Sequence, residues 1–165
     1  MTTQLSLTPP TATASTLAGT ITPAHPDYGI ARASFNLAVD QHPAAIAYPG
    51  TVTEVADVVR GARAAGLSVA VQSGAHNAGP QGNLRDAVLI RTNRMDKVTV
   101  DPVHQICRAE AGVRWEAVVD AAADRGLSAL HGSSPTVGVV GYSLGGGLSW
   151  QGRKRGLQAS ASRRT

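Results

Sequence analysis

Cysteine is almost absent: Cys107 stands alone among 165 residues, which excludes a disulfide within the chain. No C-x-x-C or H-E-x-x-H spacing occurs, and His25, His42, His104 and His131 lack ligand-type intervals, so no metal site is expected. Aromatic residues make up only 4% of the chain. Any core must therefore be built from Ala, Val, Leu and Ile packed closely around abundant glycine. Long apolar runs are missing too. Nothing approaches the ~20 residues that a helix needs to span a bilayer, and residues 1 to 30 lack the basic and apolar regions of a secretory signal. A cytoplasmic protein with no membrane partner is the resulting expectation.

Basic residues are in excess, 15 against 11 acidic, for a net charge of +4. Their placement argues against nucleic acid as a partner. Arg153, Lys154, Arg155, Arg163 and Arg164 fall within the last 13 positions, where no acid occurs. A basic patch spread over a folded face is what nucleic-acid binding needs, and the remainder of the chain does not provide one.

From Thr2 to His25 a mixture of Thr, Pro, Ala and Ser shows no hydrophobic period, and a mobile leader is expected over 1–27. Thr51 and Glu54 then form a capping box. Val52, Val55, Val58, Val59 and Ala62 recur at helical spacing up to Gly66. Val69 to Val71 read as a buried strand, Val88 to Ile90 as another, and Val98 to Val100 and Ile106 to Ala109 as shorter ones. A second helix is expected from Arg114 to Asp124, stopping at Gly126. Ala-Gly-Leu-Ser at 65–68 and Arg-Gly-Leu-Ser at 125–128 follow the two helices in the same way, which points to two successive α/β units. Cys107 and Trp115 read as packing residues, whereas Trp150 could also rest against a cofactor.

Two glycine-bearing segments could carry chemistry. The first, Gln72-Ser73-Gly74-Ala75-His76-Asn77, follows a strand directly, and its small residues let backbone N–H groups approach an anion such as a pyrophosphate. His76 adds an imidazole, or simply closes a surface turn. The second runs from Gly132 to Gly147 and includes Ser133, Ser134, Thr136, Gly138, Gly141, Tyr142, Gly145 and Gly146. So many glycines in an apolar run imply close backbone approach to a ligand or to another segment. The G-x-G-x-x-G spacing of dinucleotide folds is absent. Gly141-Tyr142-Ser143-Leu144-Gly145 does satisfy the G-x-S-x-G elbow of serine hydrolases, yet no Asp, Glu or His follows Ser143 to complete a triad.

Taken together, Asp27-Tyr28, Phe35-Asn36, Pro43-Ala44-Ala45-Ile46, Ser73-Gly74-Ala75-His76, Asp101-Pro102, Ala111-Gly112-Val113 and the Gly132–Gly147 run closed by Arg155-Gly156-Leu157 resemble the FAD-linked oxidases of the berberine-bridge-enzyme-like family. The resemblance implies an α+β fold, an FAD-binding domain of the p-cresol-methylhydroxylase (PCMH) type made of two α/β subdomains. It places them at about 40–98 and from about 99 to 157 within a partial domain at 28–157, with an unmatched basic tail at 158–165. It further implies FAD as cofactor, the first segment around the pyrophosphate, and His76 as the residue that would tether the flavin covalently. Ser134 stands where some members carry a second, cysteine tether. The second segment, from Ser133 to Gly146, would line the ribityl and diphosphate groups. Gln72 and Ala75 replace an Arg and a Gly of the family pattern. The implied activity is hydride transfer from a small organic substrate to FAD. The chain looks truncated, without the substrate domain or the residues that act as catalytic base in relatives, and an inert remnant is the alternative.

Overall fold

The computed structural model describes Leu17 and residues 19–162. Most of the expected leader, and the last three residues of the basic tail, lie outside the described residues. What is described of the leader is not loose. Ile21 forms an antiparallel bridge with Ile46, exchanging hydrogen bonds of 2.8 Å in both directions. Order thus begins before the expected Tyr28, because Ile46 leaves one side of its strand open to a partner.

A short helix α1 (Tyr28–Arg32) leads into strand β1 (Ala45–Ala47), which is buried throughout. Helix α2 (Val52–Ala64) follows. Its cap forms as the sequence requires: the Thr51 hydroxyl accepts from the Glu54 N–H at 3.2 Å, while the Glu54 carboxylate accepts from the Gly50 N–H at 2.7 Å. Gly66, at φ +70°, ends it in a conformation that only glycine adopts without strain. Strands β2 (Ser68–Gln72) and β3 (Ala87–Arg91) complete a parallel sheet in the order β1-β3-β2. Every residue of the central strand β3 is buried, and Val88, Leu89 and Ile90 form the core with Ile46, Ala62 and Ala31. The expectation of a buried strand at 69–71 is corrected in one respect. β2 is a strand, but as the outer one it leaves Val69 38% and Val71 54% exposed.

The remaining chain builds a second unit. β4 (Val98–Asp101) and β5 (Ile106–Ala109) pair antiparallel, and α3 (Trp115–Ala123) packs against both. Cys107, expected to be buried, is exposed on β5, because this pair is covered by α3 on one face only. Gly126, at φ +67°, terminates α3, yet residues 127–131 form no strand. The repeated helix-glycine-strand pattern therefore fails in its last element, since no ladder partner stands beside it among the described residues. Short helices α4 (Val139–Leu144), α5 (Gly152–Arg155) and α6 (Gln158–Ala161) follow. α6 is tied back by Gln158 N–H to Gly147 O at 2.9 Å and Ala159 N–H to Gly146 O at 3.0 Å. No helix among the described residues is long and apolar enough to cross a membrane.

Candidate functional site

The first segment leaves the carboxyl end of β2 and runs as a turn to a single 3-10 turn at Gly79–Gln81. Ala75 adopts φ +56°, a left-handed conformation that costs a residue with a Cβ about 1–2 kcal/mol. The backbone N–H groups of Gly74, Ala75, His76 and Asn77 find no backbone acceptor among the described residues. They are the free donors that an anion needs. His76 and Asn77 are exposed, and the His76 ring stands 6.1 Å from that of Phe35.

The second segment is brought to the first by backbone pairing. Val113 O accepts from Val139 N–H at 2.9 Å and Val137 O from Trp115 N–H at 3.0 Å, which forms a bridge between Arg114 and Gly138. A Cβ on Gly138 would lie 3.2 Å from the Ser73 hydroxyl. The two loops therefore face one another across a glycine. N–H groups of Ser133, Ser134, Thr136, Val137 and Gly138 are likewise without backbone acceptors among the described residues. The Ser134 and Thr136 hydroxyls are 3.3 Å apart. Beside this junction opens a cleft of about 420 Å³ lined by Ser73, Gly74, Asn93, Asp96, the Gly112–Arg114 approach to α3, and Glu116 and Ala117 of its first turn.

Not every expected residue presents its side chain to a ligand. Gln72 is 5% exposed, with its Nε2 committed to Gln41 and Gln81 and its Oε1 buried without a partner among the described residues. As the last residue of β2 it turns its side chain inward, beneath the loop. Tyr142 sits edge-on to Trp115, with ring centres 5.4 Å apart, and its hydroxyl donates to Leu148 O. Burial raises its phenol pKa above the ordinary value. A Cβ on Gly132 would come within 2.9 Å of the same ring, and one on Gly147, at φ +68°, within 2.6 Å of Gln158 Cβ and 2.7 Å of the ring. Added Cβ atoms on Gly141 and Gly146 would enter open space, whereas one on Gly145 would lie 3.3 Å from Gly141 O. Trp150 is 79% exposed and, with Trp115 and His131, borders a smaller cleft of about 230 Å³. Ser143 lies inside α4, with a buried hydroxyl that has no hydrogen-bond partner. An elbow nucleophile instead sits exposed on a strand-to-helix turn, so the hydrolase reading has no support in this geometry.

A family model described as an FAD binding domain matches residues 43–162. The chain belongs to this family of FAD-binding domains. The match reaches Ser162, beyond the Leu157 at which the sequence resemblance was drawn. Glucooligosaccharide oxidase of Sarocladium strictum is 34% identical over 127 residues, covering 75% of this chain and 25% of its own length. The crystal structure of 6-hydroxy-D-nicotine oxidase from Arthrobacter nicotinovorans superposes with a TM-score of 0.78 at 28% identity, over 85% of this chain and 31% of that one. A glucooligosaccharide oxidase from Acremonium strictum, described as carrying 6-S-cysteinyl, 8α-N1-histidyl FAD, gives a TM-score of 0.74 at 28% identity, over 86% of this chain and 30% of that one. The chain thus spans about a quarter to a third of the length of these relatives, which are flavin-dependent oxidases.

The residues present fit FAD. Two rows of free N–H donors suit a diphosphate, and the open space at Gly74 and Gly141 admits close backbone approach. Asp96 and Glu116 on the cleft wall disfavour a second anion there, but their acceptor oxygens suit hydroxyl-bearing groups such as ribityl or ribose.

Proposed function

We propose that this chain is the cofactor-holding part of an oxidase that removes hydride from a small organic substrate, with loops 73–77 and 133–138 holding FAD. The observation that carries the reading is the junction at Gly138 and Ser73, where two donor-rich loops meet across a position that tolerates no larger side chain without displacement. FAD supplies the two-electron acceptor that such a reaction requires and that no side chain offers. The protein's own part is to bind and orient it. Backbone N–H groups of Gly74, Ala75, His76 and Asn77 bind the diphosphate, and Ser133, Ser134 and Thr136 offer donors to the polyol chain. His76 is the residue we assign to covalent attachment, since an exposed imidazole at the loop tip is free to act as a nucleophile. Serine at 134 cannot form the thioether that a cysteine forms, so one tether is expected.

A different reading, an inert remnant, draws support from the exposed Val69 and Val71 on β2. One experiment separates the two. The chain is expressed with flavin available, bound flavin is titrated, and the protein is then denatured in acid and examined for yellow fluorescence in the protein band, alongside His76→Ala. Flavin that stays with the unsubstituted band and is lost from the variant supports a working site tethered at His76. Neither retained flavin nor reversible binding would leave the remnant.

A further inference from the structure

Two glutamines that flank the first loop, Gln72 and Gln81, meet beneath it with a third, Gln41, from 31 residues before Gln72. Gln72 Nε2 donates to Gln41 Oε1 at 2.8 Å and to Gln81 Oε1 at 2.6 Å. Gln41 Nε2 donates in turn to Ala78 O at 3.0 Å and Gly82 O at 2.9 Å, while Gln81 Nε2 reaches Val71 O at 3.3 Å. Gln41 and Gln72 are 1% and 5% exposed. The orientation of each amide follows from its neighbours. Because Ala78 O and Gly82 O can only accept, Gln41 must direct its NH2 group at them. Its oxygen then faces Gln72, which must answer with its own NH2.

The bonds fall at the base of the loop and not at its tip. Gln72 is the last residue of β2, Ala78 to Gly82 enclose the 3-10 turn, and Gln41 spans both sides from outside the segment. The intervening N–H groups from Gly74 to Asn77 remain without backbone acceptors. A polar loop left to itself would relax by bonding to its own carbonyls. Tying its two ends to one another and to Gln41 fixes the base, limits such relaxation and leaves the donors for a ligand. Burial of Gln41 and Gln72 keeps water from competing for the same amides.

We infer that Gln41, Gln72 and Gln81 are positioning residues that clamp the base of loop 73–82 so that its tip presents free N–H donors to the FAD diphosphate. The clamp rests on the proposed function above. It acts through the backbone: none of the three side chains touches the cofactor. Gln72, within the first segment, serves as the middle link.

The test compares the full chain with Gln41→Leu, Gln81→Leu and Gln41→Glu, measuring FAD affinity by fluorescence titration and amide exchange without FAD. Gln41→Leu removes two donors to loop carbonyls and the acceptor for Gln72, so the amides of Gln81 and Gly82 should exchange about 100-fold faster and FAD should bind about 100-fold more weakly, as expected for three lost hydrogen bonds. Val88 to Ile90 should exchange as before. Gln81→Leu, at an exposed position, should give a smaller change of the same kind. Gln41→Glu supplies the distinguishing signature. Its carboxylate has no proton for Ala78 O or Gly82 O, whereas the protonated acid restores one donor, so FAD affinity relative to the unsubstituted chain should recover as pH falls from 8 to 5. Faster loop exchange with unchanged FAD affinity would overturn the clamp, as would unchanged exchange in Gln41→Leu. If the unsubstituted chain itself binds no FAD, the functional reading fails first and the positioning role falls with it, a pattern distinct from normal binding that the variants leave intact.

Discussion

Gly74 offers a way to separate binding from folding. Its φ lies outside the left-handed region, and a Cβ built on it meets nothing within 4 Å. Gly74→Ala should therefore leave stability within about 0.5 kcal/mol of the starting value, or raise it slightly by restricting the unfolded chain. The same methyl would stand on the face from which a diphosphate approaches. Losing one charge-assisted hydrogen bond of about 1.5–3 kcal/mol corresponds to roughly 10- to 150-fold weaker binding. Gly126→Ala is the matched control. Its Cβ also enters open space, but φ is +67°, so it should lose about 1–2 kcal/mol of stability with no effect on FAD. Denaturant midpoints and FAD titrations on both variants should give a crossed result. Unchanged FAD affinity in Gly74→Ala, with an unchanged midpoint, would refute close approach of the cofactor at this loop.

Other positions test the frame around the site. Gly112→Ala places a Cβ 2.1 Å from Thr92 O and 2.9 Å from Met95 O, both backbone atoms, so a loss of about 3 kcal/mol or more is expected in urea unfolding. Ala75→Gly should relieve left-handed strain at φ +56° and, after the entropic cost of glycine, raise stability by up to about 1 kcal/mol in the same assay. Ser143→Ala removes a buried hydroxyl with no partner, and thermal unfolding should show equal or higher stability. Fluorophosphonate labelling that is present in the unsubstituted chain and absent from that variant would contradict this role. The Arg32 guanidinium, and secondarily His42, hold the Asp40 carboxyl below its usual pKa. With the folded value depressed, the contact is present above the ordinary carboxylate range and is lost as pH falls through the folded pKa. Exchange of α1 amides should accelerate over that acidic interval, and Asp40→Asn should abolish the pH dependence.

The elements legible in the sequence are those whose signals are local. α2 carries its start at Thr51 and Glu54, its inward face at Val55, Val58 and Ala62 and its stop at Gly66, all within 16 residues, although the spacing does not reveal that Val52 and Val59 are exposed. β3 announces itself as a compact apolar run. Such a run does not reveal whether its strand lies at the centre or the edge, so β2 was equally readable as a strand and misread as buried. α4 stayed hidden among glycines that disfavour helix. It forms where Val139 meets Val113 and Tyr142 meets Trp115, contacts made across more than 20 residues. The two loops were visible as glycine-bearing segments, but their meeting at Gly138 and Ser73 depends on the bridge at Arg114, which no spacing rule encodes. Gln41 and Gln81 gave no signal at all, since lone glutamines follow no period.

The first loop departs from the family pattern at position 75, and the structure gives a physical reason why the departure is tolerated. Ala75 supplies the left-handed turn at some cost in strain, and strain of that kind persists only where surrounding contacts hold the backbone. The glutamine bonds at Gln72, Ala78 and Gly82 are such contacts, on both sides of Ala75. Ala75 itself is 8% exposed, so its methyl is buried. The departure at position 75 and the buried glutamines thus belong to one arrangement. In Gln41→Leu the strain would lose its restraint, and the gain from Ala75→Gly should then shrink, because a loosened loop no longer forces the alanine into the left-handed region. A double-mutant cycle in urea that found the two substitutions fully additive would separate them again.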